Sequence, residues 1–125
     1  MAGAIPILRA GNTLLTTVHI ELHDAIAEAF QGDVLTAIEK NRATGLVIDI
    51  SALDTVDSYV ARILAETGRM AKLMGTQTVL VGMQPEVAAT LVRMGFSMEG
   101  IRTALNFEDG LAVLGQRLVT IDGGR

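Results

Sequence analysis

The chain has no cysteine and no tryptophan, two prolines, and an aromatic content of only 3% over 125 residues. Without cysteine, disulfide stapling, thiol catalysis and thiol redox chemistry are excluded, and a reducing interior is the natural setting. With so few rings, the core has to be aliphatic, built from Leu, Ile, Val, Ala and Met. No apolar run reaches the roughly 18 residues needed to cross a bilayer, and the longest is broken by Asp49. The first residues lack a basic region followed by a long apolar stretch, so no secretory signal is expected. A soluble cytoplasmic protein without membrane attachment is therefore expected. Basic residues are also short: ten against fourteen acidic, a formal net charge of −4. Nucleic-acid binding needs a concentrated basic face, and here Arg62, Arg69 and Lys72 are interleaved with Glu66.

Enzyme signatures are missing as well. There is no Gly-x-Gly-x-x-Gly after a strand and no Gly-x-x-x-x-Gly-Lys loop, which removes dinucleotide and P-loop chemistry. Gly95-Phe96-Ser97-Met98-Glu99-Gly100 approaches a nucleophile elbow, but Glu99 stands where the second glycine belongs. His19, Glu21, His23 and Asp24 offer metal-ligand chemistry. They are not spaced as His-Glu-x-x-His, and they straddle a strand-to-helix boundary, so solvated histidines and an Asp24 helix cap are the plainer reading. Asp54 and Asp57 could do acid–base work, but no nucleophile or oxyanion donor accompanies them. A small hydrolase or metal enzyme using His19, His23 and Ser97 is the remote alternative. No enzyme, cofactor or metal site is expected.

Half of the residues are hydrophobic, and 125 residues suffice for one domain with its own core. Ile5-Pro6-Ile7-Leu8-Arg9 reads as a short strand, Gly11-Asn12 as a turn, and residues 13–18 as a second strand, together a hairpin. From about Asp24 the period changes: Ile26, Ala27, Phe30, Val34, Ala37 and Ile38 mark an amphipathic helix ending near Asn41. Leu46-Val47-Ile48-Asp49-Ile50 lacks alternation, as a strand covered on both faces does. A helix over 59–74, an apolar strand over 78–82, a helix opening at Pro85 and reaching Gly95, a short strand near 101–103 and a helix capped by Asn106 complete the pattern. The sum is an α/β domain with a mixed sheet of about five strands and about four helices. Whether helices cover one face or both is open at this level.

The most informative segment is Ser51-Ala52-Leu53-Asp54-Thr55-Val56-Asp57-Ser58, where a buried strand passes through an acidic turn into a helix. Either Asp57 or Ser58 could cap that helix by accepting from its free amides. Ser58 could equally be a phosphoacceptor. A phosphate would add about −1.5 to −2 charge, and the amides and dipole of the helix start tolerate an anion. Beside Asp54 and Asp57 it would make the turn strongly negative, repelling a docked partner while sparing the fold. In the following helix, Val60, Ile63, Leu64, Thr67, Ala71 and Met74 form the expected buried stripe. Tyr59 and Met70 fall at its margin, and Leu73 lies on the side of Arg62, Glu66 and Arg69, compatible with an interface.

Ile5-Pro6-Ile7-Leu8, Val47-Ile48-Asp49-Ile50, Asp57-Ser58-Tyr59-Val60-Ala61, Lys72-Leu73-Met74-Gly75, Val79-Leu80-Val81-Gly82-Met83-Gln84-Pro85 and Thr103-Ala104-Leu105 resemble STAS domains, and more narrowly the RsbS type of the bacterial stressosome. The resemblance runs over 5–118, a STAS-type domain, with 119–125 a frayed tail. It implies a non-catalytic scaffold that co-assembles with RsbR-type STAS paralogues and sequesters an RsbT-type serine kinase. Phosphorylation after stress releases that kinase, and a PP2C-type phosphatase resets the state. It places the phosphoacceptor at Ser58, with Thr55 the competing hydroxyl. Asp54, Thr55, Asp57, Ser58, Tyr59 and Arg62 are the expected docking surface, and a homo-oligomer, a dimer, is expected. A serine-switched anti-anti-sigma factor, which binds an anti-sigma kinase directly, is the related alternative.

Overall fold

The computed structural model describes residues 5–18, 22–98 and 100–122, with side chains as far as Gly115. Two short strands, β1 (Ile7–Ala10) and β2 (Thr13–Thr17), form an antiparallel hairpin across Gly11, whose φ of 62° suits a residue without a Cβ. Three crossovers then follow: α1 (Asp24–Asn41) to β3 (Gly45–Asp49), α2 (Ser58–Leu73) to β4 (Gln77–Val81), and α3 (Pro85–Arg93) to β5 (Ile101–Ala104). Helix α4 (Phe107–Asp122) closes the described chain. The sheet order is β1-β2-β3-β4-β5, with β2 through β5 parallel. This is the mixed α/β sheet that the apolar pattern predicts. β1 begins at Ile7 because Pro6 has no amide to give to the ladder.

The apolar stretches 46–48 of β3 and 79–81 of β4 are read in two directions. Leu46, Ile48 and Leu80 join the main core with Ala27, Phe30, Val34 and Ile38 of α1, Val60, Ile63, Leu64 and Ala71 of α2, and Val87 and Leu91 of α3. Val47, Val79 and Val81 face the other way, against Leu114 and Val113 of α4. Helices therefore cover both faces, three on one and one on the other, and the question left open by the sequence is settled by strand alternation. Glycines permit the close packing on each side. A Cβ on Gly68 would run into the Ile101 side chain, and one on Gly110 would sit 2.6 Å from Val81 Cγ1.

Two expectations need correction. Met74 is not part of the buried stripe of α2: the helix ends at Leu73, Met74 is its C-cap, and its side chain is exposed. Asp24 is not the cap of α1: the extended residue before the helix is His23, with no side-chain cap bond, and Asp24 already lies in the first turn. Helix α4 is helical to Asp122, so the boundary expected at 118 falls within a helix, and residues 123–125 lie outside the described chain.

Candidate functional site

Because β2 to β5 are parallel, the segments leaving their C-terminal ends gather along one edge of the sheet, where α/β folds place their sites. His23 follows β2, the turn with Asp54, Thr55, Asp57 and Ser58 follows β3, and Gln84 follows β4. The β3–α2 turn is anchored from below. Ile50, Leu53 and Val56 are buried, while Asp54, Thr55, Asp57 and Ser58 are exposed. Its backbone is fixed by Leu53 N donating to Ile50 O at 3.0 Å and by Ser51 N donating to the Asp49 carboxylate at 2.9 Å. A second tie comes from the neighbouring loop, where Gln84 Nε2 donates to Ser51 O at 2.7 Å. Gly82 makes that approach feasible: its φ is 77°, and a Cβ there would lie 2.8 Å from Ser51 Cβ. Neither Gln84 nor Gly82 carries a local sequence signal for this role.

The capping question has a clear answer. Asp57 is the N-cap of α2, with extended backbone (φ −94°, ψ 176°), and its Oδ1 accepts from Val60 N at 2.8 Å. Ser58 is the first helical residue, exposed, and its hydroxyl has no hydrogen bond among the described residues. The serine is thus released from the structural job that competed for it, and an anion on its oxygen would face a helix start. That first turn contains no acidic residue of its own, so a negative group there meets the helix dipole favourably.

One residue further on, half-buried Tyr59 joins α2 to α1: its hydroxyl donates to Glu28 Oε2 at 2.9 Å. By accepting that hydrogen bond, Glu28 holds the Tyr59 pKa above the ordinary phenol value of 10.0; desolvation and the nearby charges of Glu28 and Asp24 act the same way, against Arg62. The Arg62 guanidinium lies 5.8 Å from the centre of the Tyr59 ring, a cation–π separation. A hollow of about 270 Å³ beside the turn is bordered by Leu22, His23, Leu53, Thr55, Val56, Asp57 and Val60. Sequence reasoning missed Glu28, whose partner is 31 residues away.

Of the rival enzyme residues, the described pair His23 and Ser97 is not brought together. His23 stands at the C-terminal edge of the sheet, whereas Ser97 precedes β5 and lies at the opposite edge. His19 and Glu21 lie outside the described residues, as does Glu99 of the near-elbow. Among the described residues no group of three or more His, Cys, Asp or Glu could hold a metal ion. None of their helices is long and apolar enough to cross a membrane.

Residues 4–110 match the STAS domain, and the chain belongs to that family. Within it, the resemblance is to RsbS and the stressosome. The S58E form of RsbS from Moorella thermoacetica superposes with a TM-score of 0.83 at 39% identity, covering 93% of this chain and 98% of that one. A chain from the molecular architecture of the stressosome, a signal integration and transduction hub, superposes at 0.79 with 42% identity, covering 90% and 98%. The RsbT co-antagonist protein RsbRA of Bacillus subtilis (strain 168) is 29% identical over 93 residues, 66% of this chain. Those residues are 34% of RsbRA, so the chain spans about a third of that curated relative.

Proposed function

We propose that this chain is a non-catalytic scaffold subunit of RsbS type, working in the cytoplasm. It co-assembles with RsbR-type STAS paralogues, holds an RsbT-type serine kinase, and releases that kinase when Ser58 is phosphorylated. The observation that carries this reading is identity of 39% and 42% to RsbS and stressosome chains over nearly their whole length. The geometry supports the switch: Ser58 is exposed at the first position of α2 while Asp57 does the capping.

In the transfer step, Ser58 Oγ forms a bond to the γ-phosphorus of ATP as the bond from that phosphorus to the ADP oxygen breaks. The serine proton leaves to the kinase's base. The product adds about −1.5 to −2 charge next to exposed Asp54 and Asp57, and a kinase seated over Asp54, Thr55, Asp57, Ser58, Tyr59 and Arg62 would be repelled. The body of the domain is spared, because Leu53 and Val56 anchor the turn from beneath and are chemically untouched. A PP2C-type phosphatase would reverse the state, and the subunits would pair as dimers within the assembly.

Mixing the purified chain with an RsbR-type paralogue and measuring particle mass by light scattering tests the scaffold role. Assembly into a large particle is expected. Binding limited to a one-to-one complex with an anti-sigma kinase, with no co-assembly, would contradict it and favour the direct anti-sigma antagonist.

A further inference from the structure

Ser58 and Arg62 are four residues apart on α2, both exposed, with the hydroxyl on the N-terminal side. Side chains at that spacing are neighbours, with Cβ atoms about 5–6 Å apart, and an acid N-terminal to a base is the favourable order. Arg62 has no ion pair among the described residues; its guanidinium rests over the Tyr59 ring instead. A cation–π contact at an exposed site is weak, about 0.5–1 kcal/mol. A guanidinium–phosphate pair with two parallel hydrogen bonds is a stronger and more directional alternative.

We infer that a phosphoryl group on Ser58 captures the Arg62 guanidinium and withdraws it from the ring of Tyr59. Phosphorylation would then change the docking surface twice: it adds an anion at the turn and removes an accessible cation one helical turn along. Tyr59, tied to Glu28 on α1 by its hydroxyl, stays in place and loses the cover on its ring face. Exposed Asp54 and Asp57 lie on the chain before Ser58 and offer the guanidinium carboxylates, yet neither holds it in the unmodified protein. The relay rests on Ser58 being the phosphoacceptor proposed above, and it assigns Arg62 a positioning role beyond general contact.

The chain has a single tyrosine and no tryptophan, so Tyr59 is a site-specific reporter. Phosphoserine is installed at position 58 during synthesis, which makes the outcome independent of any kinase. In the unmodified protein, NMR should show the Arg62 δ-methylene protons shifted upfield by the Tyr59 ring. In the phosphorylated protein that shift should be lost, and the Arg62 Nε–H resonance should move downfield. Loss of the guanidinium from the ring should also change the tyrosine emission on phosphorylation, a change that should be absent in Arg62→Gln and present only in part in Arg62→Lys. Arg62 protons that keep their ring shift after phosphorylation overturn the relay. A kinase that ignores Ser58 would instead sink the phosphoacceptor reading and leave these spectra unchanged.

Discussion

At the scale of single residues, neighbouring side chains of similar chemistry have separated duties. Asp57 satisfies the Val60 amide of α2, so Asp57→Ala should lower stability by about 1 kcal/mol. Ser58→Ala should change it by only a few tenths, measured by urea denaturation of the two variants side by side; a larger loss for Ser58→Ala would return the cap to the serine. Tyr59 gives a second local test. Its folded pKa is raised chiefly by the hydrogen bond to Glu28, so the protonated phenol is the form that folding favours. The linked stability is fully present below the unfolded pKa of about 10 and is lost as pH rises through the folded value. Glu28→Gln should lower the Tyr59 pKa in an ultraviolet absorbance titration; an unchanged midpoint would mean that the contact does not persist in solution. The choice between Asp57 and Ser58 was not legible in the sequence, because both side chains can accept from helix amides. It is made by the extended backbone of Asp57 and by burial of Val56 just before it.

At the scale of elements, the sequence announces itself most clearly where burial is periodic. Phe30, Val34 and Ile38 mark α1, and the apolar runs 46–48 and 79–81 mark β3 and β4. Those same runs hide which helix takes which face, since a strand apolar on both sides gives no direction. Strand alternation divides the faces, and glycines permit the close packing on each. Gly110 lets α4 settle on β4, where a Cβ would lie 2.6 Å from Val81 Cγ1. Gly110→Val should therefore cost about 1–3 kcal/mol through overpacking. Gly32, exposed in α1 with nothing within 4 Å of a Cβ, provides the opposite case. Gly32→Ala should stabilise by about 0.5–1 kcal/mol, because alanine is the better helix former. Thermal unfolding of both variants checks the pair, and similar effects at the two positions would argue against close docking of α4. The end of α2 shows the limit of periodicity: Met74 continues the stripe arithmetically, but the helix stops one residue earlier.

At the scale of the whole molecule, the parallel strands deliver the β3–α2 turn to one edge of the sheet, with Leu53 and Val56 buried in the core and Asp54, Thr55, Asp57 and Ser58 left exposed above it. That separation lets the surface charge change without disturbing the fold. Ser58→Asp should keep its thermal midpoint within about 4 °C of the parent, since a charge at a helix start is worth about 0.3–1 kcal/mol. The same variant should bind the RsbT-type kinase at least about tenfold more weakly by calorimetry, and a collapse in stability with binding intact would reverse the assignment. The partners themselves were not legible from residue chemistry. A weakly acidic chain without a catalytic motif carries no sign of what docks on it, and that part of the reading comes from likeness to RsbS and stressosome chains. The most direct measurement is to incubate the chain with its cognate kinase and ATP and map the modified residue by tandem mass spectrometry. One phosphoryl group on Ser58, absent from Ser58→Ala, is the predicted result; modification at Thr55 instead, or undiminished labelling of Ser58→Ala, would contradict it.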